Sequence, residues 1–302
     1  MDKYEAGTSF GPLPGMKTII ALIIDPEQSR KFIKYSIQLS ESLGSRLRLL
    51  YVEDPEPYPL GSMKLSGQAL LEIQKSLKNK IRRTKNLLSK ITEEVRLQLG
   101  SELRIEISGY IGKDQDILDK LIADKPDSCM VIVEDRESDS NWNKKDGTRG
   151  IMQSVECPVL VIPASSSFES FDKIVYVTDF QQEDISVMKS VIATMKPFHP
   201  QLTALHLSKD LDFETKVKQE GFQHLLEEIT DYEMIRFESL AEDEGEDMAT
   251  SINNYYRTSG ADLIVLLKEN TGFLQQIFNV SPTFKILNQV ELPVLLYHQN
   301  NH

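Results

Sequence analysis

Two aspartates stand where a ligand or a proton could be handled. Lys17-Thr-Ile-Ile-Ala-Leu-Ile-Ile-Asp25 and Lys173-Ile-Val-Tyr-Val-Thr-Asp179 are short apolar runs that end on an acid, 154 to 156 residues apart. A carboxylate at the end of a buried strand can contact a ligand or serve as a general acid or base. No base, nucleophile or metal-ligand cluster stands beside either aspartate in the chain, so a ligand-contact or strand-end role is expected. The five histidines (His199, His206, His224, His298, His302) show no i, i+4 pair and none neighbours a cysteine in sequence, which argues against a metal site. His206 reads as a satisfied core or edge histidine, and Cys129 and Cys157 as buried structural cysteines. Neither a Gly-x-Ser-x-Gly elbow nor a phosphate-binding P-loop is present. The acidic run Glu242-Asp-Glu-Gly-Glu-Asp247 reads as a helix start, where carboxylates complement the dipole, with divalent-ion binding as the weaker reading.

The elements that must carry these residues repeat. Each apolar opening has a matching close, Cys157-Pro-Val-Leu-Val-Ile162 and Leu292-Pro-Val-Leu-Leu-Tyr297, and each close is preceded by a further apolar run, Met130–Val133 and Asp262–Leu267. Punctuation repeated at a domain-sized interval signals a duplicated domain. In the first copy, strands are expected near 17–25, 47–52, 103–108, 129–133 and 158–162. Helices are expected at 27–43, 68–99, 114–123 and 148–155, with Asp114 capping the third. The second copy predicts strands near 173–178, 201–207, 232–238, 262–267 and 293–297, and helices near 184–195, 213–229, 244–258 and 282–290. Its second helix is about half as long as the counterpart over 68–99. Alternating strands and helices imply two tandem, doubly wound, five-stranded parallel-sheet domains, which bind ligands beyond the carboxyl ends of their strands. The expected boundaries are a flexible leader over 1–15, a first domain over 16–163, a serine-containing linker over 164–172 and a second domain over 173–298.

Composition narrows the class. At 302 residues, with 40% hydrophobic and 26% charged, the chain has the balance of a soluble globular protein with room for two domains. No apolar run reaches membrane-span length and no secretory signal is apparent, so no membrane role is expected; with two cysteines the default is a reducing cytoplasm. The net charge of −12 is uneven: residues 1–172 hold 24 Lys+Arg against 26 Asp+Glu, and residues 173–302 hold 10 against 20. The second half therefore repels nucleic acid and anionic membranes. One basic cluster (Lys75, Lys78, Lys80, Arg82, Arg83, Lys85) lies in the long helical pattern without interleaved aromatics and reads as a solvated face.

The opening strand ending in an acid, the helix ending at Leu43-Gly44, the strand Arg46–Val52, and the Pro-Val-Leu close together resemble the universal stress protein domain. The resemblance covers residues 17–298 twice over, as a tandem member. It implies a Rossmann-like, adenine nucleotide alpha hydrolase-like fold, with the two domains packed as an intrachain pseudo-dimer. Nucleotide-binding members carry Gly-x2-Gly-x9-Gly-[Ser/Thr] after strand four, where glycines and a helix N-terminus admit phosphates. Neither copy keeps that motif. In the first, residues 134–148 retain only Gly147 and Thr148 as a remnant and begin with acids, and Asp25 is expected one position out of register. In the second, Gly272 and Ser281 match, Lys268 can offset phosphate charge, and Val280 replaces the glycine before Ser281; helix capping alone also explains Ser281. Trp142 in the first loop has no assigned role.

The expected function is thus that of a non-enzymatic cytoplasmic stress-response protein with degenerate nucleotide sites, low-level ATP hydrolysis remaining open. Candidate ligand contacts are Asp179, Lys268, Gly272 and Ser281 in the second copy, and Asp25, Gly147 and Thr148 in the first. One alternative is a working ATP- or AMP-binding protein using the second copy. Another is a scaffold that binds a protein partner through the helix over 68–99. The identity of any cofactor, of the protein partner and of any homo-oligomer stays open.

Overall fold

The computed structural model describes residues 16–55, 67–123, 128–135, 151–152, 155–178, 180–208, 213–241, 248–268 and 292–298. The first half runs β1 (Thr18–Leu22), α1 (Arg30–Ser42), β2 (Arg46–Glu53), α2 (Gly67–Leu99), β3 (Ile105–Ile111), α3 (Asp114–Ile122), β4 (Cys129–Asp135) and β5 (Val159–Pro163). The second runs β6 (Lys173–Val177), α4 (Gln182–Met195), β7 (Gln201–Ser208), α5 (Phe213–Ile229), β8 (Ile235–Ala241), α6 (Met248–Ser259), β9 (Leu263–Lys268) and β10 (Val294–His298). All ten strands join one sheet in the order β3-β2-β1-β4-β5-β10-β9-β6-β7-β8. Each half alone has its first strand flanked by its second and fourth, the doubly wound arrangement, and the two orders match.

Side-chain alternation along the strands builds two apolar layers, because successive residues of a strand face opposite sides of the sheet. On one face Ile19, Ala21, Leu160, Tyr176 and Leu295 pack with α1, α2, α4 and α5 through Ile33, Leu88, Met188 and Leu226. On the other, Ile20, Leu22, Val159, Val161, Val175 and Leu296 pack with α3 and α6 through Leu118, Ile122 and Tyr256. Both layers run unbroken from one half to the other.

That continuity comes from β5 and β10. Within each half the strands are parallel; β10 meets β5 antiparallel, with Leu295 opposite Leu160 and Val294 opposite Val161. Both strands follow a proline, Pro158 and Pro293, whose carbonyls accept from Val131 and Ile264 at 2.9 and 3.1 Å. A proline just outside a strand forfeits no ladder donor.

Several elements differ from expectation. β1 ends at Leu22, three residues early, because Asp25 caps a 3-10 turn at Pro26–Gln28. β3 and β8, the two outermost strands, begin two and three residues later than expected. Asp114 is the first helical residue of α3, and the cap position belongs to Lys113. The segment between the halves is anchored: Phe168 and Phe171 are buried and make edge contacts with Tyr35 of α1 and with Phe198, at 5.2 and 5.3 Å. Serines suggested a tether, but two aromatics burying a large apolar area hold it down. The basic residues Lys75, Lys78, Arg82 and Arg83 are exposed along α2. No helix among the described residues is long and apolar enough to cross a membrane. Residues 1–15, Trp142, the acidic run 242–247 and the helix expected over 282–290 lie outside the described residues.

The junction should bear on stability as one unit. Leu295→Ala, at a fully buried position facing Leu160, is expected to cost about 2–5 kcal/mol. Combined with Leu160→Ala, the loss in urea denaturation should depart from additivity, since the two positions are in register neighbours. An unchanged midpoint for either variant would show that the halves do not support one another here.

Candidate functional site at the carboxyl edges of the sheet

In a doubly wound sheet the crevice for a ligand opens beyond the carboxyl ends of the first and fourth strands. The antiparallel junction points these ends in opposite directions, so the chain has two such edges, one per half. Equivalent hydrogen bonds fix how they correspond. Ile23 N–H donates to Leu50 O at 2.8 Å, and Thr178 N–H donates to Leu205 O at 2.9 Å. Ile23 and Thr178 are therefore equivalent, and in chain count Ile24 corresponds to Asp179 and Asp25 to Phe180.

The first edge is lined by acids. The Asp25 carboxylate accepts from the Glu27 and Gln28 amides at 3.0 and 3.4 Å, holding the turn after β1. The side chain at Asp179's corresponding position is Ile24, 41% exposed. β2 ends on Glu53, whose buried carboxylate accepts from Tyr51 and, at 2.7 Å, from Lys80 of α2. Asp54 follows. Across the edge, Gly112 N–H donates to Glu53 O at 3.1 Å, at a φ of 155° that suits glycine, and delivers the chain to Asp114. Burial pushes the Asp114 carboxyl up to about 6, and the negative charge of Asp54 adds to the rise. β4 closes on Glu134, buried, and Asp135. A polyphosphate needs amide donors and cations, whereas the described residues at this edge are mostly carboxylates.

The second edge is built differently. Tyr176 and Thr178 hydroxyls donate to Asp184 on α4, the latter at 2.7 Å, and the Gln181 amide donates to the same carboxylate at 3.0 Å. Asp184 is buried, so these bonds carry its charge and fix the loop after β6. Phe180 adopts a left-handed φ of 55° and stacks on His206, ring centres 4.7 Å apart, and on Phe222 at 5.3 Å. His206 Nδ1 donates to the Thr178 carbonyl at 2.8 Å, which can only accept. By the same chain count, Ala21, Ile23, Ser29 and Tyr51 stand in the first half for Tyr176, Thr178, Asp184 and His206. At the end of the fourth strands the contrast is one of charge. Val177 pairs with Leu266 as Leu22 pairs with Val133, so Glu134-Asp135 corresponds to Leu267-Lys268.

Of the candidate contacts, the structure thus places Asp25 as a turn cap and Lys268 at the end of β9, in register with His298. Asp179, Gly272 and Ser281, with Gly147 and Thr148 of the first half, lie outside the described residues. Sequence reasoning missed Glu53, Asp114, Tyr176, Thr178 and Asp184. The signal available was the spacing Gln181-x-x-Asp184, a capping-box pattern. Nothing in sequence announces that Lys80, 27 residues on, reaches Glu53. Among the described residues no group of three or more His, Cys, Asp or Glu could hold a metal ion.

Solved structures of the same design are known. The chain is similar to a universal stress protein from Archaeoglobus fulgidus DSM 4304, at 13% identity and a TM-score of 0.63, over 95% of this chain and 98% of that one. It is similar to a functionally unknown protein from Pseudomonas aeruginosa PAO1, at 14% identity and a TM-score of 0.57, over 95% and 94%. It is also similar to the cytoplasmic domain of a prokaryotic cation chloride cotransporter, at 9% identity and a TM-score of 0.53, over 95% and 97%. No family model and no curated protein sequence matches the chain. At such identities what is shared is the fold. Two doubly wound halves joined back to back through their last strands define it, and the chain has the fold of the tandem universal stress proteins.

The weakened acidity of Asp114 makes a pH prediction. Its folded value of about 6 lies above the ordinary value of about 3.9, so the folded state holds the proton more tightly. Stability is then full below about pH 4, falls as pH rises to about 6, and stays lower above it. Asp114→Asn, which cannot ionise, should exceed wild type at pH 7 by on the order of 1–2 kcal/mol, with the gap closing towards pH 4 in urea melts. A gap that is constant with pH would assign the effect to packing instead.

Proposed function

We propose that this chain is a cytoplasmic tandem universal stress protein that acts by binding a ligand or partner and carries out no catalysis of its own. The observation that carries the reading is the inequality of the two carboxyl edges on a common frame. The first edge gathers Glu53, Asp54, Asp114, Glu134 and Asp135, and repels a nucleotide's phosphates. Its acid after β1 is engaged in a turn, and Asp184 at the second edge is engaged by its own loop. These groups hold the scaffold in place, which is a structural use of charge. The domain limits that accompany this reading are 16–163 and 173–298, with 164–172 between them.

Lys268 at the end of β9, opposite in charge to Asp135, favours a second reading in which ATP or AMP binds weakly at the second half. Asp179, Gly272 and Ser281 would complete that site, and Val280 would oppose close phosphate approach. A scaffold reading draws support from α2, whose first buried side chain is Leu77 and whose Leu71 is 67% exposed.

A thermal-shift titration of the full chain with ATP, AMP and Mg²⁺ separates these readings. A nucleotide at 100 times its Kd adds about 2.7 kcal/mol of stability. The expected result is little or no shift for wild type and a larger one for Val280→Gly, abolished by adding Lys268→Glu. Micromolar ATP binding by wild type that survives Lys268→Glu would overturn the degenerate-site reading and the choice of half together.

A further inference from the structure

The chain has two cysteines, and the fold sets them side by side. Cys129 opens β4, and the β4–β5 register, in which Val131 pairs with Val159, carries two residues back to Cys129 opposite Cys157. Both side chains belong to the same apolar layer and so face the same side of the sheet. Neighbouring strands lie about 4.8 Å apart, inside the Cα separation of roughly 4.4–6.8 Å that a disulfide spans. The Cys157 thiol is close enough to Cys129 for the two to influence each other's ionisation. Both residues are thiols in this structure.

We propose that Cys129 and Cys157 form a cross-strand dithiol that hydroperoxides oxidise to an intrachain disulfide. The two thiols have distinct parts. Cys157 is fully buried, and burial pushes its thiol up to about 12, with the neighbouring Cys129 adding to the rise. Cys129 is 8% exposed and is the one a small oxidant reaches first. Its thiolate attacks the peroxide, the O–O bond breaks, and a sulfenic acid forms as the leaving oxygen takes up a proton to give water or an alcohol. The Cys157 sulfur then attacks the sulfenic sulfur, its proton leaves with the hydroxyl as water, and the S–S bond closes. Two thiols lose two hydrogens and two electrons, and the peroxide gains them. The burial makes the reaction slow, which suits a response to sustained oxidant rather than to traces. The bond would staple β5, the strand that joins the halves, to β4.

Treatment of the full chain with hydrogen peroxide, followed by alkylation under denaturing conditions and peptide mapping, tests this. The expected product is a Cys129–Cys157 linked peptide pair, reversed by dithiothreitol, with a melting temperature several degrees above that of the reduced protein. In Cys157→Ser, dimedone should trap a sulfenic acid on Cys129; in Cys129→Ser, Cys157 should stay reduced under the same dose. Circular dichroism of both variants confirms that they fold. Recovery of both thiols in wild type, or linkage only between separate chains, would overturn the proposal, as would a Cys157 that oxidises first.

Discussion

The molecule hangs on one antiparallel strand pair. β5 and β10 each finish a parallel five-stranded unit, and either would be an open edge alone, with unmet amide and carbonyl groups. Paired with each other, they satisfy those groups and extend both apolar layers across the whole sheet. The antiparallel sense also dictates the rest of the geometry. It relates the halves by an approximate two-fold rotation, keeps long-helix faces together, and sends the two carboxyl edges to opposite ends. Phe168, Phe171, Tyr35 and Phe198 then hold the connecting segment against the apolar layer that the two halves share.

On this shared frame the carboxyl edges have diverged in the kind of polar group they use. The first concentrates carboxylates until one of them, Asp114, holds its proton into the mildly acidic range. Among the described residues, the second places Tyr176, Thr178, His206 and the buried Asp184 carboxylate, which three donors satisfy. Over the whole chain the second half is the more acidic.

Much of the frame could be read from residue order, because buried parallel strands and amphipathic helices leave strong periodic marks. The Pro-Val-Leu closes and the β-branched openings located the start of eight of the ten strands closely. The two whose starts shifted, β3 and β8, are the edge strands, where only one side is paired and flanking residues such as Leu103 pack onto the core without joining the ladder. Asp25 looked like a strand end because a capping aspartate and a strand-ending one share the same apolar prefix. The anchoring of the linker was hidden by its serines, although Phe168 and Phe171 were in plain view. Contacts such as Lys80 to Glu53 depend on where a 33-residue helix crosses a strand, which no local pattern encodes.

Fusing the two halves has a consequence for inheritance. In a dimer of identical subunits every substitution is made twice, once on each side of the axis, so neither site can change without its twin. With β5 and β10 on one polypeptide, Asp135 and Lys268 are separate letters of one text. A charge can be reversed at one edge while the other is left alone, and the interface between them supplies the stability that tolerates the experiment. Such a chain is free to keep one half as a support and commit the other to recognition.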